Sequence, residues 1–138
     1  MSEATPVGPC SPCLIVSDLV RAIGHYRDGL GFDLRYSTPA EAPFFALIGR
    51  GPAQIMLKEV APEIAPQPNA GRHPHSIWDL FVYCEEPDAL WAEIEARAPG
   101  LAAKVADRQD GLRGFDVADP DGYVTFFGAP GAGPDAAG

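Results

Sequence analysis

The residues here that invite chemistry are three cysteines, three histidines and one short run of alternating aromatics. Cys10-Ser11-Pro12-Cys13 has the C-x-x-C spacing of a redox pair, but such a pair wants its first thiol at a helix N-terminus. Here Leu14, Ile15 and Val16 continue as an apolar strand, so these thiols and Cys84 read as free. His73 and His75 stand near Asp79 and offer metal-binding donor types, yet histidines in a proline-dense segment read more simply as solvated. His25 reads as a surface residue on the outer side of a helix. No Ser-His-Asp order is visible, and Gly111-Leu112-Arg113-Gly114 is not a phosphate-cradling loop. Alternation along residues 77–84 puts Trp78, Leu80 and Val82 on one face, suited to packing on a helix. Asp79, Phe81 and Tyr83 take the other.

The elements that must position these residues follow from spacing. Leu14 to Val16 form a short strand. Ser17-Asp18 stands where an N-cap belongs, and Leu19, Ala22, Ile23, Tyr26 and Leu30 recur with helical period until Gly29 and Gly31 end the run. Phe32, Leu34 and Tyr36 alternate as a strand, and strands are expected at residues 44–48 and 53–60. Beyond proline-rich residues 61–75 the order begins again: a strand at 77–84, a helix at 87–98, a weak strand near 101–105, then a hairpin at 111–128. In that hairpin Asp119-Pro120-Asp121-Gly122 is the turn, with Pro120 presetting φ and Gly122 taking the positive φ that other residues resist. Met56 and Phe126, in the last strand of each half, follow Ser11 and Asp79 by about 45 and 47 residues, so the chain reads as a duplicated unit. The expected division is an N-terminal extension (1–9), a first βαβββ unit (10–60), a linker (61–75), a second unit (76–128) and a disordered tail (129–138).

Composition narrows the function classes. The 138 residues, 46% of them hydrophobic, are enough to bury a core. No apolar run approaches the roughly 18 residues that span a bilayer. The first residues lack a basic stretch followed by an apolar one, so a cytoplasmic protein without membrane attachment is expected. An odd, small number of cysteines argues against a disulfide framework. A formal charge of −9 would repel a phosphate backbone, which excludes nucleic acid and permits a cationic partner. An acidic surface is also simply a soluble one.

Three segments, V-S-D-L-V-R-A-I-G-H-Y-R-D-G-L-G-F (16–32), E-P-D-A-L-W-A-E-I (86–94) and G-L-R-G-F-D-V-A-D-P-D-G-Y (111–123), resemble the vicinal-oxygen-chelate superfamily of glyoxalase, bleomycin-resistance and extradiol dioxygenase proteins. The resemblance covers about residues 11–128. It implies an α+β fold of two βαβββ modules whose curved mixed sheets enclose a cavity, usually in a homodimer. Enzymes of that superfamily hold a divalent metal through His, Glu or Gln on the first and fourth strands of each module. Aligning the motifs puts Ser11, Met56, Asp79 and Phe126 at those positions, and only Asp79 has suitable donor chemistry. A one-residue slip offers Pro12, Leu57, Trp78 and Phe127, which are no better. No metal or other cofactor is expected.

What remains is a pocket that would bind a small molecule. Gln54, Met56 and Lys58 would look inward with Ser11, Cys13, Val124 and Phe126. Met56, Phe81, Tyr83 and Phe126 with one carboxylate, Asp79, suit an apolar or aromatic ligand bearing a positive or donor group; alternatively the aromatics fill a closed core. Arg113 and Phe115 match the family motif and are assigned to the cavity wall or a neighbouring strand, or Arg113 pairs with a surface carboxylate. The resemblance leans toward the bleomycin-resistance branch, metal-independent dimers that sequester a cationic drug between subunits. That branch commonly carries a Trp where this chain has Asp110. The alternatives are a metal-dependent lyase, isomerase or oxygenase of the superfamily, and a module of unknown ligand. Asp79→Ala is expected to weaken binding of a cation while barely affecting folding.

Overall fold

The computed structural model describes residues 4–75 and 77–131. Extended residues lead into β1 (Cys13–Ile15), and Asp18 then caps α1 (Leu19–Gly24) by accepting a hydrogen bond from the Arg21 amide. The helix continues as a π-helical turn over His25–Gly29, and the chain leaves it at Gly31, whose φ of 74° suits glycine. Three strands follow: β2 (Asp33–Thr38), β3 (Phe45–Arg50) and β4 (Ala53–Lys58). The second half repeats this order with β5 (Trp78–Tyr83), α2 (Pro87–Arg97), β6 (Ala106–Asp107), β7 (Leu112–Ala118) and β8 (Val124–Pro130).

Each half builds a four-stranded mixed sheet of the same plan, β1-β4-β3-β2 and β5-β8-β7-β6, in which the first and last strands of the unit pair in parallel and the rest antiparallel. The expected α+β architecture of two βαβββ units is therefore present. The sheets stay open and share one core on their helix-facing sides, where Leu14, Ile48, Ile55 and Leu57 of the first unit join Ile94, Phe115, Val117 and Phe127 of the second. Polar contacts lock the halves together. The Tyr26 hydroxyl donates to Asp119 at 2.9 Å, and the Tyr123 hydroxyl to the Ile15 carbonyl at 2.7 Å. The Arg50 guanidinium grips Glu93 with two hydrogen bonds of 2.6 and 2.9 Å.

Several local expectations need correcting. The strand expected near 101–105 is a single bridge at Ala102 followed by the two-residue β6 at 106–107. Ala129 and Pro130, expected in a disordered tail, complete β8 against Arg113 and Leu112; residues 132–138 lie outside the described residues, as do residues 1–3 of the expected extension. Residues 61–75 are not a bare linker: a short 3-10 turn at Asn69–Gly71 packs back on β5. His25 is half-buried, and that burial lowers its pKa to about 4. Helical periodicity placed it outside, but the π-helical turn that begins at His25 carries a longer turn than that period assumes.

Candidate functional site

The side of the second sheet that faces away from the helices carries the candidate site, and its layout turns on one irregularity in β5. Trp78 pairs with Val124 and Leu80 with the very next residue, Thr125, so Asp79 is an extra residue bulged out of the ladder. Strict alternation would send Trp78 to the helix side. The bulge instead returns it to the open face, where its indole stacks on Phe126 with ring centroids 4.3 Å apart. Phe81 lies 5.2 Å from Phe126 and 5.5 Å from Trp78, and Tyr83 extends the wall at 4.9 Å from Phe81. Phe126 is fully buried beneath these neighbours, while Phe81 is 37% and Tyr83 77% exposed. The result is a four-ring platform, closed at Phe126 and open at Tyr83.

Glycines make room for it. Phe126 leans over Gly114 and Gly128, which flank it on β7 and β8. A Cβ at Gly114 would clash with the Phe127 carbonyl and stand 2.6 Å from the Phe126 ring, and one at Gly128 would clash with the Arg113 carbonyl and stand 2.7 Å from that ring. Opposite Phe126 across the β7–β8 ladder is Asp116, whose Oδ1 is buried without a hydrogen-bond partner among the described residues. The guanidinium carbon of Arg108 sits 5.0 Å from the Trp78 ring centroid and 5.3 Å from that of Phe126. Arg108 and Trp78 line a cleft of about 390 Å³ together with His75 and Asp110.

The structure brings Phe81, Tyr83 and Phe126 together as expected, and adds Trp78 and Arg108. It does not bring the other candidates to them. Met56 lies on the open face of the first sheet beside its register partner Cys13; a cleft at the seam between the sheets joins Gln54 and Ile55, not Met56, to Phe81 and Tyr83. Phe115 and Arg113 are on the helix side of the second sheet. Phe115 is buried against Phe127 with centroids 5.5 Å apart. Arg113 holds Asp88 through two hydrogen bonds of 2.9 and 2.6 Å and Asp107 at 3.2 Å, contacts that raise its pKa and lower that of Asp88. It pairs with surface carboxylates, one of the two roles its sequence left open.

Asp79 also changes role. Its two carboxylate oxygens accept the backbone N–H of Asn69 at 2.8 Å and of Val124 at 2.9 Å, tying the 61–75 segment and the start of β8 to β5. An acid held in this way braces the fold, and its carboxylate is directed at the backbone rather than into the open cleft. No signal in the alternation pattern reveals the bulge. Arg108 carries none either, since a lone arginine after a two-residue strand looks like any exposed cation.

The four positions at which the superfamily's enzymes hold metal do not fit one here. Phe126 has no donor, Met56 offers only a soft thioether, Asp79 is engaged by two amides, and the Ser11 hydroxyl faces the Gln54 side chain at 3.4 Å. Among the described residues no three His, Cys, Asp or Glu side chains cluster for a metal. A further cleft of about 300 Å³ opens between Phe32, Val82, Leu90 and Phe127, reaching Tyr83 at its edge, with its polar rim closed by the Arg50–Glu93 pair.

The two open sheets share one plan, and the second carries a cluster of aromatic rings around Phe126, one of the four positions considered for metal. The chain belongs to the glyoxalase/bleomycin resistance protein/dioxygenase superfamily, whose family model matches residues 8–127. Similar solved structures include TioX from Micromonospora sp. ML1, at 20% identity and a TM-score of 0.68 over 90% of this chain and 99% of that one. The bleomycin-binding protein from Streptomyces verticillus, complexed with copper(II)-bleomycin, is also 20% identical, with a TM-score of 0.65 over 92% and 98% of the two chains. TnmS3, an antibiotic binding protein from Streptomyces sp. CB03234, matches at 20% identity and a TM-score of 0.65 over 94% and 100%. At such identities the likeness is one of fold. No curated protein matches the chain in sequence, and no described helix is long and apolar enough to cross a membrane.

Proposed function

We propose that this protein is a metal-independent small-molecule binder of the antibiotic-binding type, which holds an aromatic ligand against the open face of its second sheet. The observation that carries this reading is the Trp78–Phe126–Phe81–Tyr83 wall, whose outer members stay exposed next to a fully stacked inner pair. A monomer gains little by leaving two aromatic rings in water, since each buries on the order of 150–250 Å² when covered. A second copy of the chain completes the cleft. Exposed Leu34, Tyr36 and Phe44 at the β2–β3 end of the first sheet supply further apolar surface for that association. The bleomycin-binding relatives support the ligand class, though not the ligand.

The test is direct. Sedimentation velocity should give a dimer, and calorimetric titration with naphthalene-2-carboxamide should give saturable binding that Trp78→Ala weakens by about three- to tenfold, the loss expected for removing one aromatic partner worth about 0.5–1.5 kcal/mol. Trp91→Phe, on the helix side, should leave it unchanged. Equal loss in both variants, or no binding at all, would contradict the reading.

A further inference from the structure

We propose that Arg108 sets the charge preference of this site, so that the aromatic ligand it selects carries an anionic group, a carboxylate or sulfonate, at its ring edge; this rests on the open face being the ligand platform. A ring face attracts a cation, and on this platform a cation is already there. The Arg108 guanidinium occupies the zone over both Trp78 and Phe126 in which a ligand ammonium would gain cation–π energy. A cationic ligand would therefore meet like charge at the one spot that would reward it.

The guanidinium also has capacity to spare. Its side chain is about 39% exposed, and its partner Asp110 stands 3.6 Å from Nε, beyond hydrogen-bond reach. Neither Nη donates a hydrogen bond among the described residues. A planar fork with two unspent donors, fixed over an indole, matches a carboxylate or sulfonate bidentately while the ligand ring lies on the aromatic wall. The acids nearby set the direction of approach. Asp110 and His75 share the cleft with Arg108, and Asp116, opposite Phe126, keeps its Oδ1 buried, so the anionic group has to meet Arg108 on the side away from these carboxylates. The net charge of −9 opposes any anion at long range, but at physiological salt that field decays over about 8 Å, and the contact pair decides. Asp110 stands where the bleomycin-resistance branch carries an indole. Trp78 brings an indole into the same cleft from β5.

Three naphthalene probes of matched shape decide it by calorimetry in 150 mM salt: naphthalene-2-carboxylate, naphthalene-2-carboxamide and 2-naphthylmethylammonium. The full-length protein should prefer the carboxylate over the carboxamide by about fivefold, the scale of a partly exposed charged pair, and bind the ammonium weakest. In Arg108→Gln the carboxylate-to-carboxamide ratio should fall to about one, and Arg108→Lys should restore part of it. If the unaltered protein binds the ammonium as well as the carboxylate, or if Arg108→Gln keeps the preference, the assignment of Arg108 is overturned while the platform stands. If none of the three probes binds, the platform reading fails and takes this inference with it.

Discussion

Replacing Asp79 by alanine should cost stability, and the structure says how much. Each carboxylate oxygen accepts one backbone amide, from Asn69 at 2.8 Å and Val124 at 2.9 Å. Hydrogen bonds to a charged acceptor contribute about 1.5–3 kcal/mol each, and the site is only partly buried, so the lower end applies and the pair is worth about 3 kcal/mol. An unfolding entropy of about 2.1 cal/mol/K per residue over 138 residues makes each kcal/mol worth about 3 °C. Asp79→Ala should therefore melt about 10 °C below the parent by calorimetry or circular dichroism at neutral pH. The bulge at Trp78/Leu80 exists because Asp79 is held out of the ladder, so the variant should also lose the Trp78–Phe126 stack and its near-ultraviolet signal. A variant melting within about 2 °C of the parent, yet binding aromatic amines more weakly, would refute the brace and restore Asp79 as a ligand counter-charge.

Three further outcomes follow from the same geometry. Burial raises the Asp119 pKa despite the hydrogen bonds that its carboxylate accepts from Tyr26, Tyr123 and Asp121. The stability linked to that proton is thus fully present below the ordinary aspartate value and lost as pH rises through the folded one. Melting Asp119→Asn beside the parent from pH 3 to 8 should show the variant gaining on the parent as pH climbs, whereas parallel curves would deny the shift. Glu93→Gln, which breaks the half-exposed two-pronged pair with Arg50 between the units, should cost about 1 kcal/mol at low salt and less in 1 M salt. Gly114→Ala should cost about 3 kcal/mol or more, at or beyond the upper end of ordinary overpacking, because its Cβ would clash with the Phe127 backbone carbonyl on the neighbouring strand as well as with the Phe126 ring; a variant melting within about 2 °C of the parent would deny that close approach.

The duplicated architecture was legible because its signals are local. Asp18 does cap α1, Gly122 does take φ +91° in the hairpin turn, and Pro87 does open α2. The candidate site was half legible. Phe81, Tyr83 and Phe126 lie on one face because alternation holds from Leu80 onward, but one bulged residue moved Trp78 onto that face and Asp79 out of the ladder. A bulge is set by what its extra residue bonds to, here amides ten and forty-five positions along the chain, and no short window contains them. Arg113 and Phe115 stand apart from the platform for a related reason. Their segment matches the family motif, yet their parity on β7 puts them beside Phe127 and α2, not beside Phe126.

The most direct test is resonance mapping on protein labelled with 13C in the rings of Trp, Phe and Tyr, titrated with naphthalene-2-carboxamide. The largest shifts are expected at Trp78 and Phe81, which line the open face and not the cleft beside α2. Largest shifts at Phe32 and Phe127, which line the cleft beside α2, would place the ligand on the opposite side of the sheet and contradict the platform reading.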